Sequence, residues 1–119
     1  MKTVLLIEDD PDQLVLYQMA FEDSGLKLLT AGSGVKGLKL AQTKPSLILC
    51  DIILGDIQGI EVLKILKKNS KLKKIPVVML TNLTKKHVME EAKTAGALDF
   101  WDKTVVLPKQ VVERVGSLI

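Results

Sequence analysis

Glu8, Asp9, Asp51, Thr81 and Lys103 stand at the ends of four apolar runs. These are Val4-Leu5-Leu6-Ile7, Leu47-Ile48-Leu49-Cys50, Val77-Val78-Met79-Leu80 and Ala97-Leu98-Asp99-Phe100-Trp101. In an open α/β sheet the carboxyl ends of the strands form the crevice where ligands bind. Three carboxylates, a hydroxyl and an ammonium are therefore expected to converge on one mouth. Two carboxylates about 4 Å apart repel by roughly 1 kcal/mol in water and about 4 kcal/mol at an effective dielectric near 20. Three together need a cation. Hard oxygen donors with room for water suit Mg²⁺, which takes a couple of carboxylates and a substrate phosphate rather than a closed protein cage. Phosphoryl chemistry fits such a set, because a carboxylate can attack phosphorus and hold it as an aspartyl phosphate.

The elements that must position these residues follow from hydrophobic patterning. Five apolar strands alternate with five helical segments, the pattern of a doubly wound parallel sheet. Strands are expected at 3–8, 26–30, 46–50, from Pro76 to Leu80, and at 97–101. Asp10-Pro11-Asp12-Gln13 reads as a helix start, with Asp10 as N-cap, Pro11 in the first turn and Gln13 reaching back. Leu14, Tyr17, Ala20 and Phe21 then share one face, and Gly25 ends the helix. Ser33 caps a second helix, which Gly37 weakens by about 1 kcal/mol relative to alanine. A third helix turns Ile60, Leu63 and Leu66 inward. Thr84 is expected to cap a fourth, with Val88, Met89, Ala92 and Ala95 inside and Gly96 as its stop. Pro108 opens a last helix with Val111, Val112, Val115 and Leu118 on its inner face.

A chain of 119 residues suits one domain, burying roughly two-thirds of its unfolded surface. The apolar fraction is 47% and the aromatic fraction 3%, so the core is aliphatic. Cys50 has no partner for an internal disulfide, and its place in an apolar run marks it as a small core residue. The opening residues carry no signal peptide or membrane span, and a cytoplasmic location is expected. The formal charge of +3 is unevenly spread, with Lys64, Lys67, Lys68, Lys71, Lys73 and Lys74 crowded together. Those lysines are expected to close an amphipathic helix and spill into the next loop. There they complement the helix dipole, and nucleic-acid binding by this domain alone is not expected.

Ile7-Glu8-Asp9-Asp10-Pro11, Cys50-Asp51-Ile52-Ile53-Leu54, Gly59-Ile60-Glu61, Met79-Leu80-Thr81 and Asp99-Phe100-Trp101-Asp102-Lys103 occur in one order and at one set of spacings. Together they resemble the receiver domain of two-component response regulators, over essentially the whole chain. The resemblance implies a flavodoxin-like (βα)5 sheet in the order 2-1-3-4-5, as one receiver domain over 1–119 without an output domain. It implies that Asp51 is the phosphoacceptor. The donor would be a sensor histidine kinase, a phosphotransfer protein or a small molecule such as acetyl phosphate. Asp9, Asp51 and the Ile53 carbonyl would hold Mg²⁺, with Glu8 acting through a water, and Lys103 would meet the phosphoryl group. Thr81 would read that group and Phe100 would change rotamer in response, remodelling the surface of the fourth helix, fifth strand and fifth helix. That surface would meet a downstream protein or a second copy of the chain. Such a domain catalyses only its own phosphorylation and dephosphorylation. Ile53, Asn82 and Leu83 would set the access of water to the phosphorus.

The chain departs from the family's pattern in three places. Thr104 stands where receivers usually carry a cis proline, and a cis bond before threonine would cost about 2.5–4 kcal/mol. Asn82 replaces an alanine or glycine beside the pocket, and Gly55 a frequent proline. Other readings fit less well. Aspartyl phosphatases and dehalogenases need an acid two residues after the nucleophile, where Ile53 stands. In a flavin carrier, Glu8-Asp9-Asp10 would repel the flavin phosphate.

Overall fold

Strands buried on both faces need unbroken apolar runs, and those flanked on one side can alternate. The computed structural model, which describes residues 1–119, sorts the strands in this way. β1 (Thr3–Ile7), β3 (Leu47–Cys50) and β4 (Val77–Thr81) form the sheet centre, and β2 (Lys27–Ala31) and β5 (Asp99–Asp102) form its edges. All pairings are parallel in the order β2-β1-β3-β4-β5, the expected doubly wound topology. Five helices complete it: α1 (Pro11–Phe21), α2 (Gly34–Ala41), α3 (Gly59–Lys68), α4 (Lys86–Thr94) and α5 (Pro108–Leu118).

Alternate strand residues serve opposite faces. Leu5, Ile7, Ile48, Cys50, Val77 and Met79 meet Ala41 of α2, Leu63 and Leu66 of α3 and Ala92 of α4. Val4, Leu6, Leu49, Val78, Leu80 and Trp101 meet Tyr17 and Phe21 of α1 and Val111 and Val115 of α5. Cys50 is fully buried, and burial pushes its thiol far up, so it is a core residue with no thiolate to offer. Gly37 has a packing reason: a Cβ there would lie 2.7 Å from Ile7 Cγ1, so glycine lets α2 lie close against β1. No helix is long and apolar enough to cross a membrane.

Local capping departs from expectation in several places. Asp10 does cap α1, accepting from Asp12 N at 2.9 Å, and Ser33 caps α2 through Lys36 N at 3.1 Å. Gln13 makes no bond back to the cap and lines the mouth instead. α1 stops at Phe21, before Gly25, where the Ser24 hydroxyl donates to the Phe21 carbonyl at 2.6 Å. Thr84 is not the cap of α4: Lys85 occupies that position, and no side chain bonds the helix start. Met89 and Leu118, expected inward, are exposed, because Ala92 is the one residue that α4 buries and α5 buries only Val111 and Val115. Lys67 donates to the carbonyls of Lys73 at 3.1 Å and Ile75 at 2.8 Å, tying the lysine-rich loop back onto α3.

Candidate functional site

Sheet register brings the reactive residues together. Ile7 pairs with Cys50, and Thr81 with Asp102, so the chain leaves four adjacent strands at Glu8, Asp51, Thr81 and Lys103. Main-chain bonds carry the alignment past the strand ends: Asp51 N donates to the Ile7 carbonyl at 3.1 Å and Lys103 N to the Thr81 carbonyl at 3.0 Å. A cavity of about 230 Å³ opens there. Asp9, Asp10, Gln13, Ile53, Thr81, Asn82 and Leu83 line it together with Glu8, Asp51 and Lys103.

Lys103 is the cation inside this group. Its ammonium donates to Asp51 Oδ2 at 2.9 Å and to Glu8 Oε1, and its side chain is 8% exposed. Burial pulls the ammonium down, but the bond it donates to Glu8 and the charge of Asp51 outweigh it, holding the group above its ordinary value. Glu8 is buried, which pushes its carboxyl up even with Lys103 alongside. Asp51 Oδ1 accepts from Ile52 N at 2.7 Å, so both carboxylate oxygens are oriented. Thr81 is buried, and its Oγ1 accepts from Leu83 N at 3.1 Å. That bond leaves the hydroxyl proton free to be donated to a group in the mouth.

The donor set suits a hard, partly hydrated cation. Glu8 is buried and, like Asp51 Oδ2, already bonded to Lys103, and no three acids close on one point. Asp9 and Asp51 remain, and the Ile53 carbonyl accepts no main-chain hydrogen bond. Asp9 Oδ2 faces the loop after β3, at 3.7 Å from where a Cβ on Gly55 would lie. Two carboxylates, a carbonyl and space for water match the modest protein share that Mg²⁺ takes.

The structure thus gathers Glu8, Asp9, Asp51, Ile53, Thr81, Asn82, Leu83 and Lys103 at one mouth. Phe100 lies apart. It is half-buried and borders a groove of about 500 Å³ between α4 and β5, with Met89, Ala97 and Leu98. Two residues support the site from outside the mouth: Gly59, which the sequence marks only as part of the family pattern, and Asp56, which it does not mark at that position. A Cβ on Gly59 would overlap the Asp51 carbonyl, and Gly59 N donates to the Ile52 carbonyl at 2.7 Å. Glycine therefore lets α3 start directly against the Asp51 backbone. Asp56 accepts from Gly34 N at 2.8 Å and Val35 N at 2.9 Å, bolting the loop after β3 to the start of α2. Those two bonds hold its carboxyl below the ordinary range. A sequence signal existed: α2 has no acid in its own first turn, where the helix dipole favours one.

Comparison with known proteins agrees with this geometry. Residues 4–115 match the family model described as the response regulator receiver domain. The chain is 33% identical over 119 residues to the polar-differentiation response regulator DivK of Brucella ovis, covering 99% of this chain and 96% of DivK. Among solved structures it is similar to the chemotaxis response regulator CheY4 of Vibrio cholerae, with a TM-score of 0.89 and 25% identity over 100% of this chain and 99% of that one. It is also similar to the Mn²⁺-bound form of the response regulator Rcp1, with a TM-score of 0.86 and 27% identity over 98% of this chain and 93% of that one. With this sheet order, and with acids and a lysine at these strand ends, the chain belongs to the receiver domain family of response regulators.

Proposed function

We propose that the chain is a phosphorylation-controlled switch in which Asp51 accepts the phosphoryl group. One Asp51 carboxylate oxygen attacks the donor's phosphorus while the bond from phosphorus to its leaving group breaks. The leaving imidazole or acetate departs with the electron pair. The donor is a phosphohistidine on a sensor kinase or phosphotransfer protein, or a small molecule such as acetyl phosphate. Lys103, already 2.9 Å from Asp51 Oδ2, neutralises charge on the incoming oxygens, and that contact is the observation that carries the reading. Asp9, Asp51 and the Ile53 carbonyl would hold Mg²⁺, with Glu8 reaching it through a water. When bound, Mg²⁺ supplies further charge neutralisation at the transferring group.

The response follows from the charge that arrives. A phosphoryl group adds about −1.5 to −2 charges and three acceptor oxygens. The Thr81 hydroxyl donates to one of them, drawing the loop after β4 inward, and Phe100 repacks against α4. The α4–β5–α5 surface then changes affinity for a downstream protein or for a second copy of the chain. Ile53 and Leu83 border the mouth without a group that can align water, so the phosphoryl group is long-lived, and Asn82 beside them either orients a water or obstructs it. Mass spectrometry after acetyl phosphate and Mg²⁺ tests the assignment. One base-labile phosphoryl group is expected on the native protein and none on Asp51→Asn. Stoichiometric labelling of Asp51→Asn at another acid would overturn it.

A further inference from the structure

Phosphoryl transfer to Asp51 requires Lys103 to hold one position, yet its long side chain has up to about 2 kcal/mol of rotamer freedom to lose. The sheet's support ends at Lys103 itself, whose N donates to the Thr81 carbonyl at 3.0 Å. Beyond it the chain turns toward α5, through a trans peptide bond to Thr104, since no bond in the chain is cis. A neighbouring proline would have restricted this turn covalently. Thr104 leaves that restriction absent, and something else must fix the backbone on the far side of Lys103.

Asp102 is placed to do so. Its Oδ1 accepts from Thr104 N at 2.8 Å and from Thr104 Oγ1 at 2.6 Å. Its carbonyl accepts from Val105 N at 3.0 Å and Val106 N at 2.8 Å. The residues on either side of Lys103 are thereby tied to each other, and both peptide planes that aim its Cα–Cβ bond are fixed. Threonine supplies two donors to one carboxylate oxygen, a backbone N–H that proline lacks and a hydroxyl that alanine lacks. Neither Asp102 nor Thr104 lines the mouth.

We propose that Asp102 and Thr104 form a clip that positions Lys103 over Asp51, acting in the place of a proline after the lysine. Both are positioning residues, and the effect on transfer rests on the phosphoacceptor role of Asp51. The experiment uses the full chain with acetyl phosphate and Mg²⁺ and separates the maximal transfer rate from half-saturation by the donor. Asp102→Ala and Thr104→Val should slow maximal transfer by about ten- to a hundredfold, the scale expected when a charge is misplaced by a fraction of an ångström to 1 Å. Half-saturation and Mg²⁺ affinity by calorimetry should stay near native. Asp102→Asn keeps the acceptor oxygen and should restore most of the rate, a rescue that a requirement for negative charge would not give. Transfer at the native rate in Asp102→Ala and Thr104→Val, or no rescue by Asp102→Asn, would overturn the clip.

A second readout needs no transfer at all. The ¹⁵Nζ resonance of Lys103 should be resolved in the native protein and in Asp102→Asn, and broadened by exchange in the other two variants. If native protein fails to label at Asp51 while this pattern holds, the phosphoacceptor reading falls and the clip stands. An unchanged Lys103 resonance in Asp102→Ala and Thr104→Val would reject the clip whatever the labelling.

Discussion

The two loops that flank the acidic mouth are built in opposite ways. The loop after β3 is fastened along its length. Asp51 Oδ1 holds Ile52 N, Gly59 N holds the Ile52 carbonyl, and Asp56 holds two amides of α2. It runs into α3, which buries Gly59, Ile60, Val62, Leu63 and Leu66. The loop after β4 has one side-chain bond, from Leu83 N to Thr81 Oγ1, and Asn82, Thr84 and Lys85 are exposed. It leads to a helix that buries Ala92 alone. Few buried contacts and an exposed backbone place a segment at the low-stability end of a fold, from which moving elements are drawn. In the proposed switch the contrast would divide labour: the side carrying Asp51 would keep that carboxylate in place, and the side carrying Thr81 would be the one that is pulled.

Substitutions on the two sides should differ in cost accordingly. The largest effect is expected at Gly59→Ala, whose Cβ would meet backbone, with the Asp51 carbonyl carbon at 2.7 Å and Ile52 Cα at 2.9 Å. Nothing there is a flexible side-chain end that can swing away. A loss of about 3 kcal/mol is expected in urea denaturation, at the upper end for overpacking. Native stability in that variant would mean that the fastened loop can in fact shift. The smallest effect is expected at Thr84→Ala. A true N-cap would lose about 1 kcal/mol, but Thr84 makes no cap bond, so the change should stay within about 0.5 kcal/mol. A full cap-sized loss would show that α4 is better anchored than the contrast requires.

Much of this was legible in the sequence, for a physical reason. Central strands of a parallel sheet must be continuously apolar, so a charged or hydroxyl residue ending such a run marks the strand's carboxyl end. Glu8, Asp9, Asp51 and Thr81 stand out in that way, whereas Lys103 follows the edge strand β5, whose Asp99 and Asp102 break the apolar run, and is marked by the family pattern instead. Features set by distant contacts do not stand out. Gly37 read as a helix defect because its partner, Ile7, is thirty residues away. Asp56 gives no sign at its own position of its bonds to Gly34 and Val35; the one signal, the missing acid in the first turn of α2, lies some twenty residues away. Thr84 had the right type for a cap and Met89 the right spacing for a core position. The position of α4, however, is set by how little of it the sheet covers. The sequence leads to Glu8 acting through a water, and gives no sign of its direct bond to Lys103, which joins residues 95 apart in the chain.

The most direct test of the switch is the amide spectrum of the ¹⁵N-labelled protein with Mg²⁺, before and after beryllofluoride, in native chain and Thr81→Ala. Beryllofluoride stands in for the phosphoryl group on Asp51. Beyond the residues touching it, the account predicts large native shifts from Asn82 through α4 and β5, small shifts along α3, and loss of the α4 and β5 changes in Thr81→Ala. Shifts of equal size in α3 and α4, or an identical response in the two proteins, would contradict it.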